Sequence, residues 1–223
     1  MMKLAGIARV GVCLAVVLAI AGMAQATAIT VPNYSFEVPD VTGDNKAAPG
    51  GTNITSWSSS TNASSTAHIG CWDTAISGVT GSQMAMTYIS GADNGLWIKL
   101  TSALLAQSVS GYEYTASADL VNAASSWQPS DATVQLWVGG SNVAESSVGG
   151  SDLSFTTYST PNYTATASGQ DIFIQILIVG AGGSSNPNKC GMDNVQLDYV
   201  PEPASLGLLG LGALGVLLRK RRR

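Results

Sequence analysis

Short runs in which apolar and polar residues alternate dominate the chain between residues 27 and 200. The clearest run is 171–179, where isoleucine occupies every second position from Ile172 to Ile178. Two further alternating runs cover residues 112–120 and 134–138. A period of two places one set of side chains on each face of a strand. The pattern therefore predicts β-strands with one buried face, and predicts that 171–179 is half-covered on its other face as well.

Weaker alternation predicts further strands, and glycine, serine and asparagine separate all of them. These weaker candidates cover residues 83–90, 96–101, 155–160, 163–167 and 194–199. The stretch 46–65 is rich in Gly, Ser, Thr and Asn, which predicts a long surface loop or a set of short edge strands, and 180–188 predicts another loop. Strands at this spacing, without helical periodicity or an internal repeat, predict one all-β domain at 27–199, an antiparallel β-sandwich of the jelly-roll type.

The N-terminal segment has the organisation of an export signal. Lys3 and Arg9 precede an apolar run over residues 10–24, and the segment finishes in the small-x-small sequence Ala24-Gln25-Ala26. A basic start, a short apolar run and a small-x-small site are typical of a signal peptide. We expect signal peptidase to remove residues 1–26. A retained membrane anchor is the alternative, although the run is short for a span.

The C-terminal segment combines a Pro-Glu-Pro triplet (Pro201, Glu202, Pro203), an apolar stretch over 204–218 and five basic residues at the end. A helix over 204–218 is a short membrane span, and the basic cluster favours the cytoplasmic side. Residues 200–223 resemble the PEP-CTERM sorting signal of bacterial surface proteins. The resemblance implies an exosortase as partner, a transient anchor in the inner membrane, and later release to the cell surface or the exterior. A simple C-terminal anchor is the alternative.

The charge is distributed unevenly along the chain. The formal net charge is −4, but residues 27–200 contain thirteen acidic residues, three lysines and no arginine, so this part alone carries −10. An acidic surface excludes a nucleic-acid-binding protein that depends on a basic patch. It also favours neutral glycans as ligands, or acidic glycans bridged by a cation.

Three motifs give the body a second resemblance. It opens on N-x-S-F-E (Asn33 to Glu37), continues through a turn at Trp57, and ends on D-N-V-x-L (Asp193 to Leu197). The body thus resembles galactose-binding-like carbohydrate-binding modules, which are jelly rolls. The resemblance implies a structural Ca²⁺ held by Glu37 and Asp193, since hard carboxylate oxygens suit this ion. The alternative is a pair of solvated or capping acids.

Three tryptophans are candidate sugar contacts, because the C–H face of a sugar packs on an aromatic ring. Trp127 lies in a polar stretch, Trp137 alternates with the apolar face of its strand, and Trp72 follows a cysteine. We expect Trp57 and Trp97 to pack in the core. Polysaccharide is then a candidate partner at Trp127, Trp137 and Trp72, and a ring that merely covers a sheet edge is the alternative.

Two cysteines, Cys71 and Cys190, remain once the signal peptide is removed. An even pair in an exported chain predicts a disulfide. Two buried free thiols are the alternative.

Catalytic motifs of the familiar kinds are absent from the sequence. His68 is the sole histidine, and no G-x-S-x-G motif accompanies it. We therefore expect no enzyme, but an exported protein of the cell surface, biofilm or exopolysaccharide matrix, with a non-catalytic jelly roll that binds glycan. The alternatives are a purely structural or adhesive matrix protein, and a small glycanase or lyase built on a carboxylate pair.

Overall fold

The computed structural model describes nine stretches of the chain, which cover residues 25–40, 48–49, 54–62, 67–73, 78–89, 95–121, 130–148, 154–180 and 188–201. These stretches contain β-strands and no α-helix, and residues 28–199 form one compact unit. No helix in them is long and apolar enough to cross a membrane. The predicted membrane helix at 204–218 lies outside the described residues, as does all of the predicted signal peptide except its last two residues.

Fourteen strands are formed by the described residues. In chain order they are β1 (Thr27–Ile29), β2 (Ala48–Pro49), β3 (Trp57–Thr61), β4 (Ala67–Asp73), β5 (Gln83–Ile89), β6 (Trp97–Ser102), β7 (Ala106–Gln107), β8 (Glu113–Val121), β9 (Ser130–Val138), β10 (Ser141–Val148), β11 (Thr156–Ser159), β12 (Tyr163–Thr164), β13 (Asp171–Gly180) and β14 (Asn188–Val200).

The strands are divided between two antiparallel sheets. The first sheet has the order β11-β8-β14-β5-β4-β2, with β1 paired to β14 and β12 paired to β8. The second sheet has the order β10-β9-β13-β6-β3, with β7 paired to β13. Strands that are adjacent in a sheet are often distant in sequence, so the chain crosses repeatedly between the two sheets. Such crossing is typical of a jelly roll. The predicted fold class is confirmed.

The core lies between the sheets and follows the alternation seen in the sequence. The four isoleucines of β13 are 0% exposed, while the residues between them are half-buried. They pack in one cluster with inward side chains of the first sheet, among them Leu120 and Met192. Full burial of each such side chain stabilises the fold by about 1.5–3 kcal/mol. Trp57 is also in this core, as predicted, whereas Trp97 is only half-buried.

Several strands are not evident from alternation. Strand β10 is rich in serine and lies at the edge of the second sheet, where little apolar surface is needed. Its hairpin with β9 turns at Gly139 and Gly140, whose φ angles of 59° and 80° fit a two-residue turn of type I′. The stretch 46–65 contains β2 and β3, so short edge strands replace the long loop.

The predicted disulfide between Cys71 and Cys190 is not formed, and both residues are buried free thiols. Cys71 lies on β4 opposite Ala85 of β5, and Cys190 lies on β14 opposite Thr87 of β5. The thiols therefore belong to strands on opposite sides of β5, about 10 Å apart. A disulfide requires Cα atoms within about 7 Å. The sheet order therefore corrects the prediction to two separate thiols.

We predict that both thiols resist alkylation in the folded protein. Burial, with a smaller effect of the Glu37 charge on Cys71, raises the pKa of Cys71 to about 11, and burial alone raises that of Cys190 to about 12. The reactive thiolate is therefore scarce at pH 8. Iodoacetamide without reductant should label neither cysteine in native protein and both in denaturant, as read by peptide mass spectrometry.

An exposed control cysteine, Ser60→Cys on β3, should react within minutes in the native state. Labelling of Cys71 and Cys190 in denaturant only after addition of a reductant would contradict the free-thiol assignment.

Candidate functional site

A second, smaller apolar cluster lies on the outer face of the first sheet, away from the core. Met84, Met86 and Val121 form it and are at most 1% exposed, and Trp72 and Phe155 pack against it while remaining partly exposed. On β5 these methionines alternate with Ala85, which faces the core, and Trp72 pairs with Met84 across β4 and β5. We call these five residues the outer cluster. Burial of an outward sheet face is the first sign of a site here.

Gly191 of β14 allows Met84 and Val121 of the outer cluster to pack directly on the backbone of the sheet. It pairs with Met86, and a Cβ atom at this position would lie 2.7 Å from both Met84 Sδ and Val121 Cγ1. No side chain fits at that separation without displacing the cluster. The absent side chain is therefore a packing requirement, because Met84 and Val121 occupy its space.

Asp193 lies two residues after Gly191 on the same strand and therefore on the same outer face. It is 0% exposed. Its Oδ2 accepts the backbone N–H of Thr80, and its Oδ1 accepts the N–H of Asn194 at 2.7 Å. Asn194 has a φ of 48°, in the left-handed region that asparagine tolerates better than most residues. The carboxyl group is thus fixed by two hydrogen bonds in a closed environment.

Asp119 of β8 is a second carboxylate beside Asp193. Its Oδ1 accepts the Thr157 hydroxyl at 2.5 Å, and its Oδ2 accepts the Asn194 side-chain amide at 3.0 Å. Thr157 stands directly opposite Asp119 in the pairing of β11 with β8. Asn194 thereby connects the two acids, donating its main-chain N–H to one and its side-chain N–H to the other.

Burial raises the pKa of Asp193 to about 6. The hydrogen bonds from Thr80 and Asn194 lower the pKa, while the charges of Asp119 and Glu37 raise it further. A carboxyl group that retains its proton near pH 6 can donate that proton, which an ordinary surface aspartate cannot do. Asp193 is therefore a candidate general acid, and its neighbours adjust its acidity.

Glu37 is held against the same 80–83 segment as Asp193. Its Oε1 accepts the N–H groups of Ser82 and Gln83 at 3.1 and 2.9 Å, and its Oε2 accepts the Ser82 hydroxyl at 3.0 Å. A Cβ at Gly81 would lie 2.5 Å from Glu37 Oε1. Glu37 and Asp193 therefore both accept hydrogen bonds from the 80–83 segment.

The oxygens of this carboxylate pair accept several hydrogen bonds. N–H and O–H donors, rather than carbonyl oxygens, contact the Glu37 and Asp193 oxygens. Among the residues that the structure describes, no group of three His, Cys, Asp or Glu could hold a metal ion. Calcium prefers six to eight oxygen ligands.

The three tryptophans predicted as sugar contacts do not form one site. Trp72 belongs to the outer cluster on the first sheet, whereas Trp137 lies on the outer face of the second sheet, and Trp127 is outside the described residues. Trp137 pairs with Phe173 across the strands and donates its Nε1–H to Gln135 Oε1 at 3.0 Å. Sugar binding at Trp137 stays a prediction.

Of the Pro-Glu-Pro triplet, Pro201 directly follows β14 and is half-buried. Glu202 and Pro203 lie outside the described residues, so the structure describes only the first residue of the predicted signal.

Sequence reasoning singled out Glu37 and Asp193 but missed Asp119. Alternation could have placed Asp119 outward, but Asp193 has the same parity as the core residues Val195 and Leu197, and the alternation along β14 changes at Asn194, whose φ is 48°. The order of β8 and β14 in the sheet is needed to bring the two aspartates together, and sequence alone did not supply that order. The outer cluster was missed because alternation is weak over residues 83–90, so the pattern does not distinguish the face that contains Met84 and Met86.

We predict that Asp193 makes the protein less stable as the pH rises from about 4 to about 6. The folded state holds the Asp193 proton up to about pH 6, whereas the unfolded carboxyl loses it near pH 3.8. The folded state therefore binds more protons in this window, and its free energy of unfolding falls by at most about 3 kcal/mol from this group. Urea unfolding at pH 4.5 and 7.0 measures the fall.

Asp193→Asn should show a smaller fall between the two pH values than the wild-type protein, and the exposed Asp131→Asn should leave the fall unchanged. Equal falls in wild type and Asp193→Asn would contradict a raised pKa.

Calcium at Glu37 and Asp193 stays a prediction with a direct test. An ion that binds only the folded state raises the Tm by mass action. Binding at this pair would raise the Tm by several degrees in excess Ca²⁺ over excess chelator, and Glu37→Gln would abolish the rise. Mg²⁺ at the same concentration is the control, and an identical Tm in Ca²⁺ and chelator would refute the prediction.

Two sequence families match the chain. Residues 27–198 match the HpiC1-like family, described as HpiC1 cyclase, and residues 200–223 match the PEP-CTERM protein-sorting motif. The second match confirms the predicted sorting signal, which marks an exported protein that an exosortase processes at the membrane. No sequence among the curated proteins matches this chain.

Solved structures of similar fold include two from Fischerella sp. TAU. A cyclase aligns with a TM-score of 0.63 and 20% identity, covering 79% of this chain and 98% of its own. The Stig cyclase Fisc, in complex with (3Z)-3-(1-methyl-2-pyrrolidinylidene)-3H-indole, aligns with a TM-score of 0.61 and 21% identity, covering 79% and 99%.

Carbohydrate-binding modules are also among the similar structures. The module TmCBM61 in complex with β-1,4-galactotriose aligns with a TM-score of 0.44 and 13% identity, covering 77% of this chain and 97% of its own. A similarity this low says nothing of function.

The expectation that this protein is not an enzyme is wrong, because the family that matches its body is a cyclase family. The lack of a catalytic histidine or serine motif misled the prediction, since a buried carboxylic acid needs neither. The HpiC1-like match extends over more than three quarters of the sequence. The chain therefore belongs to the HpiC1-like family and carries a PEP-CTERM sorting motif after its family domain.

Proposed function

We propose that this protein is an exported cyclase in which Asp193 donates a proton to an apolar, unsaturated substrate bound at the outer cluster. The observation that carries the proposal is the complete burial of the Asp193 carboxyl group, two residues along β14 from the glycine on which Met84 and Val121 pack. Membership of a cyclase family supports it. The PEP-CTERM motif supports action at the cell surface or outside the cell.

The reaction begins when the Asp193 O–H bond breaks and its proton forms a C–H bond at an alkene carbon. The resulting carbocation is attacked by a second π bond of the same substrate, which closes a ring through a new C–C bond. A C–H bond beside the new cation then loses its proton to the Asp193 carboxylate. The product is an isomer of the substrate, and no oxidant or reductant is consumed.

The surroundings of Asp193 suit a cationic intermediate. The Asp119 carboxylate, fixed by Thr157 and Asn194, places negative charge beside the site. The aromatic rings of Trp72 and Phe155 pack on the methionines and Val121 of the outer cluster, and aromatic faces attract cations. The buried methionines and Val121 exclude water, which would otherwise capture the cation.

Access to Asp193 requires movement at the edge of the outer cluster, because the carboxyl group itself is fully buried. Trp72 and Phe155 are the partly exposed members of the cluster. A substrate that displaces one of these rings contacts the buried side chains of Met84, Met86 and Val121 and then reaches the Asp193 carboxyl group. Aromatic or isoprenoid groups match these apolar side chains in size and polarity.

Indoles are the substrate class to examine first. Similar Fischerella cyclases are described in complex with 4-(1H-indol-3-yl)butan-2-one and with a pyrrolidinylidene indole. An indole with a trisubstituted alkene in its 3-substituent combines that ring with a double bond whose protonation gives a tertiary cation.

We predict that the body domain converts such an alkenyl indole into a cyclic isomer of unchanged mass, and into a product one mass unit heavier when D₂O supplies the proton. Asp193→Asn should lower kcat by about 10²–10⁴-fold, because it removes the proton donor. Liquid chromatography with mass spectrometry measures both results.

The matched control is Asp131→Asn, which makes the same change at an exposed position on the second sheet and should retain the wild-type rate. Equal rates for the Asp193→Asn and wild-type proteins would contradict the assignment of the acid. No cyclic isomer from any alkenyl indole would contradict this substrate class.

A further inference from the structure

A row of polar side chains crosses the outer face of the second sheet, whereas Asp193 and the outer cluster belong to the first sheet. The row has one member on each of five neighbouring strands, and each member alternates along its strand with residues that pack in or against the core. Adjacent strands lie about 4.8 Å apart, so the row is about 19 Å long. Strand pairing places the members of this polar row in the order Glu145, Gln135, Gln175, Thr101 and Ser58.

The middle of the polar row is buried, which is unusual for polar residues on the outward face of a sheet. Gln135 is only 7% exposed, and the Oε1 atom of Gln175 is buried. The outward face of an antiparallel sheet is typically solvated, and glutamine is mostly exposed in folded proteins. The two amides therefore differ from an ordinary polar surface.

The Gln175 side chain has an acceptor that no group of the protein satisfies. Its Nε2 donates to Thr101 Oγ1 at 2.9 Å, but its Oε1 accepts no hydrogen bond. Within the part of the chain that the structure describes, this is the one buried side-chain nitrogen or oxygen without a partner. A buried acceptor in this state destabilises the protein. The atom thus favours a donor that comes from outside the chain.

Gln135 stands directly opposite Gln175 and does not supply that donor. Its Nε2 donates to Glu145 Oε2 at 3.2 Å, and its Oε1 accepts the Trp137 Nε1–H. The Gln135 amide is therefore held in place, while the Gln175 amide is held at one end only. Rotation of the half-buried Gln175 side chain toward solvent breaks one printed bond, that to Thr101, and brings Oε1 within reach of a ligand.

Two aromatic rings border the polar row on one side. Trp137 and Phe173 pair across β9 and β13, two residues along these strands from Gln135 and Gln175. Both rings are half-buried, so part of each is open to solvent. The hydrogen bond from Trp137 to Gln135 fixes the indole beside the amides. This face therefore presents aromatic surface next to hydrogen-bonding amides.

We propose that the polar row, together with Trp137 and Phe173, binds a segment of a neutral polysaccharide. A sugar has a C–H face that packs on an aromatic ring and hydroxyl groups that donate and accept hydrogen bonds. One such hydroxyl donates to Gln175 Oε1, and the length of the row accommodates several sugar units. The site lies on the other sheet from Asp193 and does not depend on the proposed reaction.

Charge and polarity select this ligand over two others. Gln135, Gln175 and Thr101 carry no charge, while residues 27–200 carry −10 and repel a polyanion. An apolar ligand would leave the amides desolvated and unpaired. A neutral polymer with many hydroxyl groups avoids both costs.

Binding on the second sheet would leave the first sheet free. The sorting motif directs the protein to the membrane and beyond, where extracellular polysaccharide is available. A protein held by its second sheet retains access to Asp193 on the first sheet. Attachment to a matrix and the proposed chemistry can therefore occur together.

Native affinity gel electrophoresis of the full chain in a nonionic detergent tests the proposal. Separate gels contain galactan, xylan, mixed-linkage β-glucan or dextran as neutral probes, polygalacturonate as a polyanion, or no polysaccharide. At least one neutral polysaccharide should slow the wild-type protein, and the dependence on polysaccharide concentration gives a Kd. Polygalacturonate should not slow it.

Gln175→Met keeps the side-chain length and removes the amide. It should raise the Kd for the bound polysaccharide by at least about 5-fold, the factor expected for one lost hydrogen bond. Its Tm should not fall, because the buried acceptor without a partner is removed as well. Trp137→Ala should abolish the slowing. Gln107→Met makes the same change at an exposed position of the second sheet and should bind as the wild type does.

Four results would overturn the proposal: no slowing by any neutral polysaccharide, slowing by polygalacturonate alone, equal Kd values for Gln175→Met and wild type, or weaker binding by Gln175→Met together with a lower Tm. The last result would assign Gln175 to folding. Asp193→Asn should bind polysaccharide as the wild type does, so failure of the glycan site and failure of the cyclase proposal are separate outcomes.

Discussion

The packing of Met84 and Val121 over the bare backbone of Gly191 is the contact on which the functional face depends. It turns an outward sheet surface, which a sandwich would normally expose, into a second buried layer. Asp193 lies two residues farther along the same strand and is enclosed with it. Strand β14 is consequently buried on both faces at this point: one face stabilises the core, and the other face changes the chemistry of a carboxyl group.

Strong alternation predicts individual strands and their buried faces correctly. The sequence does not predict which strands are neighbours in a sheet, so predictions that depend on neighbouring strands fail. Ile172 to Ile178 identify β13 and its two faces correctly, because a period of two is a local property. The serine-rich β10 escapes prediction, because an edge strand needs little apolar surface. Cys71 and Cys190 were paired wrongly for a related reason: their number suggests a bond, but only the order of β14, β5 and β4 shows that a strand separates them.

The candidate site likewise combines a residue that a local motif identifies with residues that only the sheet order brings close to it. The D-N-V-x-L motif includes Asp193 and Asn194, but three further residues that affect the pKa of Asp193 lie elsewhere in the chain: Glu37, Thr80, and Asp119 on β8. The approach of Asp119 depends on the sheet order, so the motif alone does not reveal a second carboxylate beside Asp193. The absence of a familiar catalytic motif was likewise uninformative, because acid catalysis by a buried carboxyl group needs no histidine or serine elbow.

The two separate thiols have a consequence for the life of the protein outside the cytoplasm. A body stabilised by its core and not by a cross-link reaches the same fold in reducing and in oxidising surroundings. The two cysteines form no disulfide that would need an oxidase after export, and peroxide finds almost no thiolate at Cys71 or Cys190 to attack. Redox tolerance is therefore built into the sheet order, which suits a protein whose sorting motif directs it across the membrane.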